Sequence, residues 1–461
     1  MNITIPSSFS NPIVLVAPKK TNAITKTDAD VSIYFVDIEE SSPVAIGDLQ
    51  SKLTHVDAKM HVRGDATAAM PKQQYAVKLS KKLTSENFLG MEKGGKHWVF
   101  NDCGAVDYTL LRNTFAFTQQ RSMGQYAPSF KFFELFILPK GTDLTTTSID
   151  ATLLQSSYHG LYLNFEKIRF QKSRIDLPYD KKNITSDHAI LQLNQESPKY
   201  LQLTPNPPLT ANVEVYEPKL KDIPSAVQTD FLNWYNSKPD SWAKAFTNIY
   251  VKYIVPKKTI PAGSFASIQA TTDYTSFAAY FVLNEIAKDP DGYHKSTFMV
   301  KNKSVIQAGP LWDKNKSYGN TASCGSYPQG YTNTSGWLYT ITGQVPVWWV
   351  VLLKDPAFCK AIWEQWSNVV LGVILNSGSA PDWITTFIDT EVAYIKNTGA
   401  LARDGQKWPN AFNKTTATYD AQVAEFKTYI NDRLAWINDN LSAQLKQESG
   451  YITTETKALV N

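Results

Sequence analysis

The apolar pattern of the chain changes period near residue 273, and that change does most to limit what it can fold into. Before it, apolar residues come in short β-rich runs bounded by Pro, Asn and Asp, such as NPIVLVAP (11–18) and VSIYFVDI (31–38). KMHVRGDATAAMPKQQYAVKL (59–79) reads as strand, small-residue loop and strand. KFFELFIL (131–138) and HGLYLNFEKIRF (159–170) read as two further strands of an antiparallel sheet. One helix interrupts them, over 107–123, with Leu110, Leu111, Phe115 and Phe117 on its apolar face and Gly124 at its end. After the change, TSFAAYFVLNEIAKD (275–289) is apolar nearly all round, the pattern of a buried helix. Two short strands follow, HKSTFMVKN and SVIQAGPLW, and from about 337 the chain is mostly helical.

This order gives an α+β chain in three stretches. Residues 1–175 form a β-rich N-terminal lobe. Residues 176–272 form an insert or linker and the start of the C-terminal lobe, with a strand-like AILQLN and an amphipathic helix near 225–250. Residues 273–450 form a helical C-terminal lobe that carries the strand pair. A chain of 461 residues is too long for one ordinary core and suits two large lobes with a cleft, where ligands usually sit. An aromatic content of 12% supplies the apolar area such cores need.

Composition removes several functions. A net charge of +4 with no dense basic cluster argues against a nucleic-acid binder. The three cysteines, Cys103, Cys324 and Cys359, are too few and too scattered for a disulfide framework or a zinc site. The six histidines include no pair at helical ligand spacing, which argues against a transition-metal enzyme. No run of eighteen apolar residues is present, so no membrane span is expected. The first residues, MNITIPSSFSNPIVLV, lack the charged start and clean apolar core of a signal peptide.

Three clusters carry chemistry-bearing side chains. Arg63 and Gly64 precede Asp65-Ala66-Thr67, with Lys72 and Lys78 beyond. A small-residue loop can bring backbone N–H groups to a phosphate, and a lysine on the next strand can neutralise it; an ordinary hairpin with surface lysines has the same sequence. Asp289-Pro290-Asp291-Gly292 follows the buried helix. An aspartate there can orient a hydroxyl and accept its proton, and Asp-Pro-Asp-Gly is also ordinary turn chemistry. The third cluster is AGPLWDKNKSYGN (308–320), which gathers Asp313, Asn315 and Asn320 at the end of an apolar strand. A divalent cation bound with a nucleotide needs only one or two protein oxygens. Two short strands and a turn separate Asp291 from Asp313, the arrangement in which protein kinases hold a base and a metal-binding Asp at the two ends of a hairpin.

The ordered set of motifs resembles the spore-coat protein H (CotH) kinase family, an atypical branch of the bilobal protein-kinase-like fold. The pieces that carry the resemblance are HVRGDATAAMPKQQYAVKL, NFLGMEKGGKHWVF, DYTLLRNTFAF with YAPSFKFFELFIL, HGLYLNFEKI, FVLNEIAKDPDGYHKSTFMVKN, AGPLWDKNKSYGN and LLKDPAFCKAIWEQW. The resemblance implies transfer of the γ-phosphoryl of ATP to a protein Ser or Thr with Mg²⁺ or Mn²⁺. It implies Asp291 as the catalytic Asp, with Asp289 as a substitute, and Asp313 as the metal-binding Asp, supported by Asn315 and Asn320. Lys78 matches the lysine that contacts the ATP phosphates, with Lys72 as runner-up and Arg63 as a further phosphate contact. Arg112 and Glu166 match positions that shape the nucleotide cleft. The resemblance also makes a secreted or coat-associated location an analogy, nothing more.

Departures from the family pattern keep other functions open. Lys314 and Lys316 stand where the family has hydrophobic residues, and Asn315 stands where it often has a second Asp. An amide offers a cation one neutral oxygen, so binding weakens without being lost. Lysines facing a cleft would oppose a cation. A catalytically inactive binding or adhesion protein and an AMP-transferring enzyme are therefore the alternatives.

Overall fold

Strict alternation in Thr54–Arg63 shows why the first part of the chain builds a sheet with one face turned to a core. Val56, Ala58, Met60 and Val62 of THVDAKMHVR are buried, while the residues between them are more open to solvent. Period-2 burial places these four on one face of a strand. A computed structural model describes residues 3–452 except 22, 65, 84–87, 92–94, 103–105, 195–196, 204–211, 321–329, 342–344, 375–382 and 410–415. Asp65, Cys103 and Cys324 lie outside the described residues.

The chain is a mixed α+β protein and divides into two compact units. The first comprises Met1–Thr114, Pro128–Ile168 and Thr386–Ala424, and the second Phe115–Ala127, Arg169–Thr385 and Glu425–Asn461.

In the first unit Ser8–Phe9 (β1) pairs with Val44–Ala45 (β4). Seven longer strands make a barrel: Ile13–Pro18 (β2), Ala29–Val36 (β3), Thr54–Arg63 (β5), Gln74–Leu79 (β6), His97–Asn101 (β7), Phe130–Ile137 (β8) and Tyr158–Glu166 (β9). Their order is β2-β3-β5-β6-β7-β9-β8, and β8 returns to β2. The sequence pointed to an antiparallel sheet. The closing pair is instead parallel, Ile13 opposite Glu134 through Val16 opposite Ile137. Closure leaves no edge strand. Val14, Val16, Ile33, Phe35, Met60, Val77, Trp98, Phe100 and Phe133 fill one core of this unit. Ile13, Leu15, Tyr34, Val36, Phe136 and Tyr158 form a second core. The short helix Ala400–Lys407 is tied to the barrel by Arg403, which grips Glu134 with Nε to Oε2 at 2.7 Å and Nη2 to Oε1 at 2.6 Å.

The second unit holds an antiparallel sheet made of His188–Leu193 (β10), Leu201–Gln202 (β11), Val213–Glu217 (β12), Thr297–Asn302 (β13) and Val305–Ala308 (β14), in the order β11-β12-β10-β13-β14. The strand expected at AILQLN is β10, and the strand pair expected after the buried helix is the β13–β14 hairpin. The amphipathic stretch near 225–250 is two α-helices, Ser225–Leu232 and Trp242–Ile249, each running on into a π-helical turn. The helix Tyr274–Ala287 is buried at every position from Ser276 to Ala287, as its apolar sequence demands. Asp273 caps its start by accepting from the Ser276 amide at 3.1 Å. Among the described residues no helix is long and apolar enough to cross a membrane.

Candidate functional site

The buried helix Tyr274–Ala287 ends on Lys288, whose left-handed backbone (φ 43°) turns the chain into the Asp289–Gly292 loop. Asp289 is almost fully buried. Its Oδ1 accepts from the Asp291 amide at 3.0 Å, and its Oδ2 accepts from Nζ of Lys314 at 2.8 Å. The Asp289 carbonyl also accepts from the Gly292 amide at 2.9 Å. A Cβ at Gly292 would lie 2.7 Å from Oδ1 of Asn284, so no larger residue fits this turn without displacing that side chain. The loop is thus a rigid support on which Asp291 stands. The Asp291 side chain is 21% exposed, and Nζ of Lys316 lies 3.6 Å from its Oδ2.

The hairpin then carries the chain to the second acid. Leu311 donates its amide to Oε1 of Gln120 at 2.7 Å, and the Tyr318 hydroxyl donates to Oε1 of Gln119 at 3.0 Å. Neighbouring glutamines on one helix therefore hold the segment at both ends. Between these anchors Asp313 is exposed, with φ at 57°. A non-glycine residue adopts this left-handed region at a cost, and Asp is among the residues that tolerate it. Nδ2 of Asn315 donates to Oδ1 of Asp313 at 2.9 Å, and Nδ2 of Asn320 donates to the Asn315 carbonyl at 2.7 Å. The three oxygen-bearing side chains proposed for a cation are thus linked in one turn. Asp313 is the exposed member, and Asn320 braces the backbone.

The two lysines of this segment do different things. The Lys314 side chain has no exposure and makes its ion pair with Asp289 inside the protein. Burial pulls its ammonium down, but Asp289, with Tyr280 and Asp291 adding to it, holds it charged above the ordinary lysine value. Burial pushes the Asp289 carboxyl up, with Lys314 opposing. Lys316 is 33% exposed and faces Asp291. Burial lowers the imidazole of His294, three residues beyond Asp291.

A second charged network sits behind the loop. Glu285 accepts from the Tyr293 hydroxyl at 2.9 Å and from the amides of Leu338 and Tyr339 at 2.7 and 3.0 Å. Arg433 reaches Glu285 Oε2 at 3.3 Å and donates to the carbonyls of Glu285, Thr334 and Gly336. Lys288 donates to the carbonyls of Asn333 and Ser335. Sequence reasoning missed this network. Its one signal was a glutamate inside a mostly apolar helix.

The other expected residues lie in the first unit. Arg63 ends β5 and donates to Oε1 of Gln74 at 3.0 Å. Lys78 is exposed on β6, because Tyr75, Val77 and Leu79 take the barrel face. Lys72 is enclosed. Its ammonium lies 3.1 Å from Asp102 and 2.8 Å from Asp404, and donates to the Leu161 carbonyl at 2.7 Å. Arg112 is buried and pairs with Asp107 at 2.6 Å, while Asp107 also accepts the Arg112 amide at the start of the helix. Glu166, buried at the end of β9, accepts from the Ser129 amide at 3.1 Å.

Among the described residues no group of three or more His, Cys, Asp or Glu side chains is placed to hold a metal ion. The donor set at Asp313 suits a hard cation that takes most of its oxygens from phosphate and water: one exposed carboxylate with an amide beside it. Residues 60–437 match the family model described as CotH kinase protein. Comparison with curated proteins gives no match.

Proposed function

The chain belongs to the CotH kinase family, and from that premise we propose that it is an ATP-dependent protein kinase that phosphorylates Ser or Thr hydroxyls. The bilobal protein-kinase-like arrangement is part of the proposal. The observation that supports it most is the pair of acids at the two ends of the β13–β14 hairpin, Asp291 partly open on a rigid loop and Asp313 exposed on a strained backbone. In this reading the hydroxyl oxygen of the acceptor forms a bond to the γ-phosphorus. The bond from that phosphorus to the bridging oxygen breaks, and ADP leaves with the electron pair. Asp291 orients the hydroxyl and takes its proton. Asp313, oriented by the Asn315 amide that donates to its Oδ1, would hold Mg²⁺ or Mn²⁺, which would supply positive charge to the phosphates. Positioning and charge neutralisation carry most of such a transfer. Lys78, exposed on β6, is the better placed of the two candidate lysines to meet a phosphate, since Lys72 already has two carboxylates and a carbonyl around it. Arg63, Arg112 and Glu166 keep the supporting roles that the resemblance implies.

Lysines beside a cation site favoured a non-catalytic binding protein. Each of these lysines faces an acid of the Asp289–Asp291 loop, so that argument loses its force. The test is label transfer. Purified chain is incubated with γ-labelled ATP, Mn²⁺ or Mg²⁺ and a generic protein acceptor, beside Asp313→Ala. Label on the acceptor or the chain, absent in the variant, is expected. Label from α-labelled ATP alone would mean nucleotidyl transfer, and label from neither would refute a phosphoryl-transfer enzyme under these conditions.

A further inference from the structure

Three carboxylates and two ammonium groups share the turn built from Asp289, Asp291 and the segment 313–316. Asp289 is matched by Lys314 at 2.8 Å, both side chains enclosed. Asp291 is matched by Lys316 at 3.6 Å, both partly open to solvent. Asp313 has no lysine or arginine at ion-pair distance among the described residues, and its Oδ1 accepts from the Asn315 amide. One of the three acids is therefore left for a divalent ion.

Resting on the phosphoryl-transfer reading, we infer that this is a one-cation site, in which the ammonium of Lys316 holds the place beside Asp291 that a second divalent ion would need. A second ion held apart from Asp313 needs a carboxylate of its own in this turn, with phosphates and water supplying its other oxygens. Asp289 cannot supply it without leaving Lys314 buried and unpaired, which is costly. Asn315 offers only a neutral oxygen, and its nitrogen is turned to Asp313. Asp291 is the remaining candidate, and Lys316 stands against it. An ammonium fixed by the chain is present before nucleotide arrives and needs no free metal. Beside the phosphates it supplies a single positive charge where an ion would supply two, and it keeps the Asp291 carboxylate oriented toward the acceptor hydroxyl. The bond changes stay those of the transfer above: oxygen–phosphorus bond formed, bridging bond broken, hydroxyl proton to Asp291.

The experiment counts Mn²⁺ on the full chain by equilibrium dialysis and electron paramagnetic resonance, with a non-hydrolysable ATP analogue at saturation. One Mn²⁺ per chain is expected for the wild type, and none in Asp313→Ala. Lys316→Ala is expected to gain a second, weaker Mn²⁺. Its transfer from γ-labelled ATP should fall by about 100-fold at low Mn²⁺, in the range seen when one preorganised charge is removed, and recover in part at high Mn²⁺. Lys316 lies at the surface of the turn, so the variant keeps its fold, and the wild-type count needs no variant. Two Mn²⁺ on the wild type, or a Lys316→Ala chain that holds one Mn²⁺ and transfers normally, would overturn the inference and leave the kinase reading standing. No Mn²⁺ on the wild type with nucleotide present would overturn both.

Discussion

Lys314 is enclosed, as Trp312 and Ser317 are, and the Asp289 carboxylate lies 2.8 Å from its ammonium. Replacing Lys314 by Met removes the cation and leaves a carboxylate inside the protein. The expected cost is about 3–5 kcal/mol, the usual price of breaking one side of a buried pair. Denaturant unfolding should show a lower midpoint with an unchanged slope. Asp289→Asn combined with Lys314→Met should recover most of that loss, because no buried charge remains. A double variant as unstable as the single one would mean that Lys314 acts through packing. His159 makes a prediction of another kind. Burial, helped by Lys407 and Lys72, lowers its imidazole to about 3, and its Nε2 lies 3.0 Å from the Tyr75 hydroxyl. The folded chain therefore keeps this imidazole neutral where the unfolded chain, near 6.5, takes up a proton. Stability is lost as pH falls from about 6.5 toward 3, since the unfolded state binds more protons across that window. His159→Gln should make the acid side of a stability–pH curve shallower, and an unchanged curve would place the lowered pKa in doubt.

Elements, unlike single residues, are held here by charged side chains that reach from one helix to another. Arg433 on the long helix Thr416–Ser449 meets Glu285 on the buried helix and three backbone carbonyls, all within the second unit. Arg433→Met leaves Glu285 enclosed without its guanidinium and frees the carbonyls of Thr334 and Gly336. A loss of about 3–5 kcal/mol is expected on the same grounds. Hydrogen exchange should show it first as faster opening of residues 331–341, before the barrel strands respond. Which elements the sequence could reveal follows from the range of the contacts that make them. The buried helix, the β13–β14 hairpin and the Asp-Pro-Asp-Gly turn rest on local pattern, and each was readable. Barrel closure was not readable, because it depends on β2 finding β8 in parallel, and nothing in either strand encodes that partner. Strand β12 was hidden because its run VEVYE is short and sits in a Pro- and Asn-rich stretch. The enclosure of Lys72 was hidden because one of its acids, Asp404, comes from a helix late in the chain.

The two lysines near β6 can be told apart by a property of the whole molecule, its melting with and without nucleotide. Anything that binds the native state alone raises stability by RT ln(1 + [L]/Kd), about 2.7 kcal/mol at a hundredfold excess over Kd. In the kinase reading ATP with Mn²⁺ raises the melting temperature of the wild type. Asp313→Ala should lose the part of that rise which needs Mn²⁺ and keep the part due to nucleotide alone. Lys72→Met removes the ammonium between Asp102 and Asp404 and leaves both carboxylates enclosed, so the chain should melt earlier before any ligand is added. Lys78→Ala takes away a side chain that points to solvent, so melting without ligand should be unchanged, within about 0.5 kcal/mol for such a surface change. Its effect should appear only with nucleotide, as a smaller rise. If instead Lys78→Ala shifts with ATP as the wild type does, while a Lys72 variant that still folds loses the shift, then Lys72 is the phosphate lysine. Its ion pairs would then be a ground-state arrangement that opens on binding. The comparison therefore decides between an exposed lysine that waits for phosphate and an enclosed one that must be released to meet it.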